Sequence, residues 1–351
     1  MKKLLTKPVR GERLTAAEAL TLYREADLLE LGAAAAAVKD NLHPSDVITF
    51  VGDRNINYTN VCATGCLFCA FHRRPGHPEG YVLTMEEVVT KVEEAVATQA
   101  TQILIQGGVN PALGLSYFTG LFRALKGFPI HIHSLSPVEI AFLAEREHQS
   151  VADILVALRD AGLDSLPGGG AEILVDRPRS LVSPRKLPAA QWLEIMETAQ
   201  GMGMKTTATM VYGAVETPQE RIQHLLAIRE LQDKTGGFTA FIPWSYQPKN
   251  TRLGGEDTGG AEYLRMLALS RLVLDNVPNL QVSWVTQGLK LAQVALSFGA
   301  NDFGGTMMEE NVVRAAGVSF RAQKEDILAA IREAGYRPAQ RDTYYRILRE
   351  F

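Results

Sequence analysis

From about residue 50 onward, short apolar runs alternate with longer segments in which apolar residues recur every three or four positions. A short run that is apolar nearly throughout reads as a parallel strand buried on both faces. The amphipathic segment after it reads as the helix that crosses back. Eight alternations occur, with strands expected at Arg54 to Asn60, Thr101 to Gln106, Pro129 to Ser134, Leu163 to Leu166, Lys205 to Tyr212, Phe238 to Trp244, Gln281 to Thr286 and Asn301 to Phe303. The helices carry start signals: Thr84 with Glu87, Ser136 with Pro137 and Glu139, Thr217 with Pro218 and Glu220. Val88, Val92, Ala95 and Val96 form one apolar stripe and Leu115, Phe118, Phe122 and Leu125 another, which assigns them to packing.

Eight strand–helix units with no linker between them predict one α/β domain, a (β/α)8 TIM-type barrel, with a doubly wound open sheet as the alternative. Ahead of it, Thr15 and Glu18 are spaced as a capping box before Leu20, Leu22, Tyr23 and Leu28. Residues 1–48 are therefore expected to form an N-terminal helical extension, 49–310 the barrel, and 311–351 a C-terminal extension packed on it. The basic stretch Met1 to Arg13 reads as a tail or arm.

Composition narrows the function. Hydrophobic residues make up 46% of the 351 and charged residues 21%, enough apolar surface for a large core. The net charge of −3 supplies no basic field for nucleic acid, so a small-molecule substrate is favoured. No secretory signal is visible, and no apolar run approaches the about 20 residues that span a bilayer. A cytoplasmic location without membrane contact is the expectation.

The chemistry concentrates where the first strand ends, in Cys62-Ala63-Thr64-Gly65-Cys66-Leu67-Phe68-Cys69. These are the only three cysteines of the chain, and their clustering excludes a distributed disulfide framework. Thiolates are soft ligands suited to iron–sulfur clusters or zinc. Three of them can hold three corners of a four-iron cube and leave one iron open to a cosubstrate. A purely electron-transferring cluster would be closed by a fourth cysteine, which is missing. The competing reading is a Cys3His zinc site with His72 or His77, and with it a zinc-dependent barrel hydrolase. In a barrel, this loop is the first on the catalytic face.

The CxxxCxxC spacing, with Phe68 just before the third cysteine, resembles the signature of the radical S-adenosylmethionine (SAM) superfamily. That resemblance implies a [4Fe-4S] cluster on Cys62, Cys66 and Cys69, with SAM chelating the open iron and cleaved to a 5′-deoxyadenosyl radical. It also implies that Gly107 and Gly108 let backbone approach the SAM methionine, although Val109 stands where the family has an acidic residue. Glu172, after Gly168-Gly169-Gly170, would bind the SAM ribose hydroxyls, and Arg177 the SAM carboxylate.

The segments Asp53 to Cys62, Cys69 to Phe71, Pro167 to Leu174 and Phe241 to Thr251 resemble one branch of the superfamily. It contains the futalosine-pathway enzymes of menaquinone biosynthesis and the enzymes that build the deazaflavin cofactor of methanogens. The Asp53 to Asn57 lead-in and the Trp244 to Thr251 run are most similar to the cyclases of that branch that act on dehypoxanthine futalosine. The implied reaction is abstraction of the ribose 4′ hydrogen and addition of the carbon radical to the substrate's benzoate ring. An electron donor such as flavodoxin or ferredoxin is implied with it. Aminofutalosine synthesis and tyrosine-using deazaflavin-cofactor synthesis are the alternatives within the branch. His131 and His133, two apart, share one face of the third strand, and His133 is the candidate base. Tyr58, Asn60, Trp244 and Gln247 lie at strand ends, where substrate contacts are expected.

Overall fold

The computed structural model describes residues 1–351. Three helices precede the first strand: α1 (Lys2–Val9), α2 (Ala16–Glu25) and α3 (Leu28–Leu42). The capping box ahead of α2 is formed, with the Thr15 hydroxyl accepting from Glu18 N and the Glu18 carboxylate from Thr15 N. The stretch expected to be a tail is instead α1. It buries Leu5 and Pro8, and Lys7 Nζ reaches Glu18 Oε1 at 2.8 Å. Eight residues with no side-chain cap are too few to hold a helix alone, and tertiary packing decides the conformation.

Eleven strands follow: β1 (Val47–Val51), β2 (Asp53–Ile56), β3 (Gln102–Ile105), β4 (His131–Ser134), β5 (Ser165–Leu166), β6 (Lys205–Tyr212), β7 (Phe238–Ser245), β8 (Asn279–Leu280), β9 (Asp302–Gly305), β10 (Arg337–Arg341) and β11 (Ile347–Glu350). Strands β2 to β8 run parallel in sequence order. β1 and β2 are one stave interrupted at Gly52: β2 pairs with β3, whereas β1 pairs with β9 and β10. A Cβ on Gly52 would stand 2.9 Å from Gln340 Nε2 and 3.3 Å from Ala100 Cα, so three chain segments meet where only hydrogen fits. β9 then reaches β8 through a single parallel Gln281–Asp302 bridge. Asn301 reinforces that seam, its Oδ1 accepting from Leu280 N at 2.9 Å and its Nδ2 donating to Asn279 Oδ1 at 2.8 Å. With β1 and β2 counted as one, eight staves surround the axis and the expected barrel is present.

Two expected strands are displaced. The first ends at Ile56, not Asn60, because the chain turns onto the rim and Thr59 bridges antiparallel to Val82. The seventh lies at Asn279–Leu280, and the run assigned to it instead opens a helical segment, Trp284–Leu296, kinked at Gly288. A short apolar run looks the same in a buried strand and in the first turn of a buried helix. Here the Ser283 and Thr286 hydroxyls, 2.7 Å apart, and the Trp284 indole donating to Gly305 O at 2.9 Å fix the helical start. No helix is long and apolar enough to cross a membrane.

The β10–β11 hairpin closes one end of the barrel. Arg341 grips Asp302, Thr343 Oγ1 donates to Gln102 Oε1 at 2.8 Å, and Tyr344 packs edge-on against His131. Asp302, Gln102 and His131 are the first residues of their strands, so the hairpin forms the floor. Arg341 Nε and Nη2 lie 2.5 and 2.9 Å from the two Asp302 oxygens, which also accept from Thr49 Oγ1 and Gly304 N. Both side chains are almost fully buried, at 4% and 0% exposed. Arg341→Ala is expected to destabilise the protein by about 3–5 kcal/mol, because it strands a buried carboxylate. The joint replacement Arg341→Met with Asp302→Leu should cost clearly less. Urea unfolding of the three proteins checks this, and equal losses for the single and double variants would show that the charge pair is not the cause.

Candidate functional site

At the opposite end of the barrel the chain leaves β2 and enters the cysteine loop. The loop is pinned to the rim by backbone hydrogen bonds: Cys62 N to Arg73 O, Ala63 N to Val109 O and Leu67 N to Val182 O, each at 2.8 Å. Gly65 turns it with φ +60°, the left-handed region that favours glycine. All three cysteines, none of them in a disulfide, lie on the wall of one cavity of about 430 Å³. The Thr64 hydroxyl lies 2.9 Å from Cys62 Sγ and 3.4 Å from Cys66 Sγ, so these two sulfurs converge. Burial, with the neighbouring Cys66, pushes the Cys69 thiol up to about 11. Such a thiol becomes a thiolate when a metal compensates its charge. The donor set, three soft sulfurs and no fourth cysteine, fits a four-iron cluster with one open iron. The two histidines weighed for zinc are otherwise engaged at Nδ1, His72 with Cys69 O at 2.8 Å and His77 with Glu79 N at 3.1 Å.

The glycines beside the loop are required by the protein's own packing. A Cβ on Gly108 would stand 2.2 Å from Val61 O, and one on Gly107 2.7 Å from the Tyr58 ring. Without side chains there, the cysteine loop lies directly on the end of β3, and both glycines line the cavity. After β5, Gly168 and Gly169 approach Thr207 O and Gln106 Nε2 in the same way. Glu172 follows with φ +40°, its carboxylate 2.6 Å from Lys186 Nζ and 3.6 Å from Arg179 Nη1. Arg179 is fixed in turn by the carbonyls of Gly170, Ala171 and Leu187. The Lys186 ammonium also stands 5.2 Å over the Phe68 ring. Burial disfavours its charge, but the Cys66 sulfur and Glu172 outweigh that and hold it protonated well above the ordinary lysine range.

The remaining sequence candidates separate. Phe68, Asn60, His133, Trp244 and Gln247 line the cavity. The Asn60 amide is already occupied, donating to Glu79 O and accepting from Tyr81 N, both at 2.9 Å. Tyr58 is off the wall: its ring packs edge-on to Phe118, and its hydroxyl donates to Glu139 at 2.7 Å. Arg177 is also outside the cavity, half exposed, with Nε and Nη2 both 2.6 Å from Glu220. A charge already neutralised at the surface is not available to a buried ligand. Lys186, Glu139 and Asn55 were missed. Asn55 Oδ1 is a buried acceptor without a partner on the cavity wall, and the only sequence signal for it is the alternation along β2. Glu139 carries its signal as the partner of Ser136 in the helix start, but only the fold turns it inward.

His133 sits on the interior wall with Nδ1 2.6 Å from Ser165 Oγ. Burial, then His131 and Arg341, push it down to about 3, so the ring rests neutral.

Residues 56–228 match the family model described as the radical SAM superfamily, and residues 235–350 the CofH/MqnC C-terminal region. The cyclic dehypoxanthine futalosine synthase of Halalkalibacterium halodurans is 48% identical, the alignment covering 99% of this chain and 95% of that one. The 5-amino-6-(D-ribitylamino)uracil–L-tyrosine 4-hydroxyphenyl transferase of Archaeoglobus fulgidus is 42% identical over 86% of this chain and 89% of its own. Among solved structures, methylornithine synthase superposes with a TM-score of 0.75 at 18% identity, covering 96% of this chain and 97% of that one. At that identity the likeness concerns the fold.

One consequence of this geometry is measurable on the fold itself. Burial pushes the Glu139 carboxyl up to about 7, against hydrogen bonds from Ser136, Tyr58 and Gly107 that lower it. The folded protein therefore keeps a proton that the unfolded chain releases near 4.5. That contribution to stability is complete below the unfolded value and is lost as pH rises through about 7. Glu139→Gln is expected to flatten this fall. Urea midpoints of both proteins at about pH 5 and about pH 8 test it. Parallel pH dependences would remove Glu139 as the cause.

Proposed function

Because the chain belongs to the radical SAM superfamily, we propose that it is the cyclase that converts dehypoxanthine futalosine to cyclic dehypoxanthine futalosine in menaquinone biosynthesis. The observation that carries this reading is the 48% identity over 99% of the chain to an enzyme of that name, against 40–42% over 86–98% to tyrosine-using transferases. The cofactors are a [4Fe-4S] cluster and SAM, which when bound supply a 5′-deoxyadenosyl radical that takes the ribose 4′ hydrogen of the substrate. Cys62, Cys66 and Cys69 would hold the cluster, with the Thr64 hydroxyl donating to the nearer sulfur, that of Cys62. Phe68, Gly107 and Gly108 shape the wall beside it.

Glu172, clamped between Lys186 and Arg179, presents a fixed acceptor to the SAM ribose hydroxyls. Its two cations hold it in place, so no reorganisation is needed when the ligand arrives. Arg177, off the cavity, has no part in this reading. Asn55, with its unpartnered Oδ1, accepts from a substrate hydroxyl, and Trp244 and Gln247 close the side of the cavity against water. The substrate radical then closes onto its own benzoate ring. As the ring regains aromaticity it loses an electron and a proton, and His133 Nε2, which has no hydrogen-bond partner within the protein, takes the proton. An external one-electron donor such as flavodoxin or ferredoxin would first reduce the cluster, since the only three cysteines leave no ligands for a second cluster. A primary carbon radical attacks whichever hydrogen is held within reach, so the wall decides the reaction.

Anaerobic incubation of the reconstituted protein with SAM, a strong reductant and dehypoxanthine futalosine carrying deuterium at the ribose 4′ position is expected to place the label in 5′-deoxyadenosine. A product of unchanged carbon count should form with it. Label retained in the substrate, or turnover supported only by tyrosine with 5-amino-6-(D-ribitylamino)uracil, would move the assignment to the transferase while leaving the superfamily intact. Glu172→Gln is expected to weaken SAM binding by about 1.5–3 kcal/mol, the range for hydrogen bonds to a charged group, with iron content unchanged. Equilibrium dialysis of SAM against wild type and variant, with iron quantified in both, reads this directly. An unchanged affinity would take Glu172 out of the SAM site.

A further inference from the structure

The strand register places His131 and His133 on the same face of β4 and pairs His133 with Ser165 of β5. Ser165 is buried, and its hydroxyl lies 2.6 Å from His133 Nδ1 and 2.7 Å from His131 Nε2. One hydroxyl thus joins a ring on the cavity wall to a second ring two residues nearer the floor. His131 is only half-buried; it meets the exposed Tyr344 edge-on with ring centroids 5.0 Å apart. We propose that His133, Ser165 and His131 form a proton relay that carries the proton lost by the substrate ring from the closed barrel to solvent at its floor. This rests on the cyclase reading, which is what generates a proton inside the barrel.

The chemistry of the hydroxyl restricts how the three groups are protonated. Ser165 has one hydrogen, so it donates to one ring and accepts from the other. In the arrangement ready to work, His133 carries hydrogen on Nδ1 and donates it to Ser165 Oγ, and Ser165 donates to His131 Nε2. His133 Nε2 is then a lone pair facing the substrate, and His131 carries its hydrogen on Nδ1. When the ring C–H bond breaks, the proton goes to His133 Nε2, the Nδ1 hydrogen passes to Ser165, and the Ser165 hydrogen passes to His131 Nε2. His131 releases its Nδ1 hydrogen to solvent. The cluster that Cys62, Cys66 and Cys69 would hold, oxidised when SAM is cleaved, would take up the electron lost in the same step.

The electrostatics favour the outward direction. Burial, His131 and Arg341 all oppose a positive charge on His133. Burial and, more weakly, Arg346 lower His131 as well, but the carboxylates of Asp164 and Asp342, which His133 lacks, offset part of that. A proton therefore does not rest at the inner ring and is stabilised better at the outer one. The exit lies opposite the cysteine loop, so a proton leaves without water entering beside the radical.

Ser165→Ala should break the relay while leaving hydrogen abstraction intact. Cyclised product per 5′-deoxyadenosine is expected to fall by on the order of tenfold or more. A primary isotope effect should appear with substrate deuterated at the attacked ring position, absent in the wild type, and Ser165→Thr, which keeps the hydroxyl, should restore both. An unchanged ratio without an isotope effect in Ser165→Ala, or failure of Thr to rescue, overturns the relay. A substrate-independent measurement separates this from a wrong substrate: 15N shifts of histidine-labelled holoenzyme should show both rings with hydrogen on Nδ1. The Nε2–H form at His133 overturns the relay even if dehypoxanthine futalosine is not turned over.

Discussion

The carboxylate of Asp302 holds this barrel together at its weakest point. β9 is joined to β8 by one bridge, and on its other side it leans on a stave that is broken at Gly52. Asp302, at the start of β9, answers both weaknesses: it accepts from Thr49 of β1 and from Gly304 of its own strand, and takes Arg341 in a two-toothed grip. The same contact fastens the C-terminal hairpin across the floor. A buried ion pair rarely adds stability relative to apolar residues of the same size. Its value here lies in geometry, because only one position of the hairpin satisfies all four donors.

A closed floor turns the barrel axis into a blind cavity that opens beside the cysteine loop. Polar groups on its wall fall into two kinds. Glu172, Lys186 and Arg179 satisfy one another, and Asn60 is committed to the loop that carries the cysteines. Asn55 Oδ1 and His133 Nε2, by contrast, have no protein partner. A buried acceptor left unpaired costs free energy, which a bound ligand recovers. The paired groups thus form a rigid frame, and the unpaired ones are left free on the wall for a ligand. The same criterion sets aside Tyr58 and Arg177, whose polar atoms are already matched elsewhere.

The superfamily follows from the family models and from identities above 40% over most of the chain, and the barrel agrees with it. The substrate is a finer question. Relatives with two different reactions share this architecture, and what separates such reactions is which carbon stands nearest the radical. That distance is set by a few wall residues, not by the fold.

The sequence by itself determined the class of barrel, the start of the helices at Thr15, Thr84 and Thr217, and the loop that bears the cysteines. Each of these is written locally, in a period, a cap or a spacing of a few residues, and local rules suffice to read it. It misplaced the strand near residue 280 and passed over α1, because a short apolar run or a weak helix has no conformation until neighbours supply one. Only the tertiary structure decided that Glu139 turns toward the glycines of β3, that Lys186 meets Glu172, and that Ser165 stands between two histidines. It also took Arg177 out of the site by giving it Glu220. All of these are contacts between segments at least 14 residues apart, fixed by the curl of the sheet and by which face of each stave points inward. Neighbours then chose between two equally buried glutamates, clamping Glu172 between Lys186 and Arg179 and leaving Glu139 a carboxyl that burial holds protonated toward neutral pH.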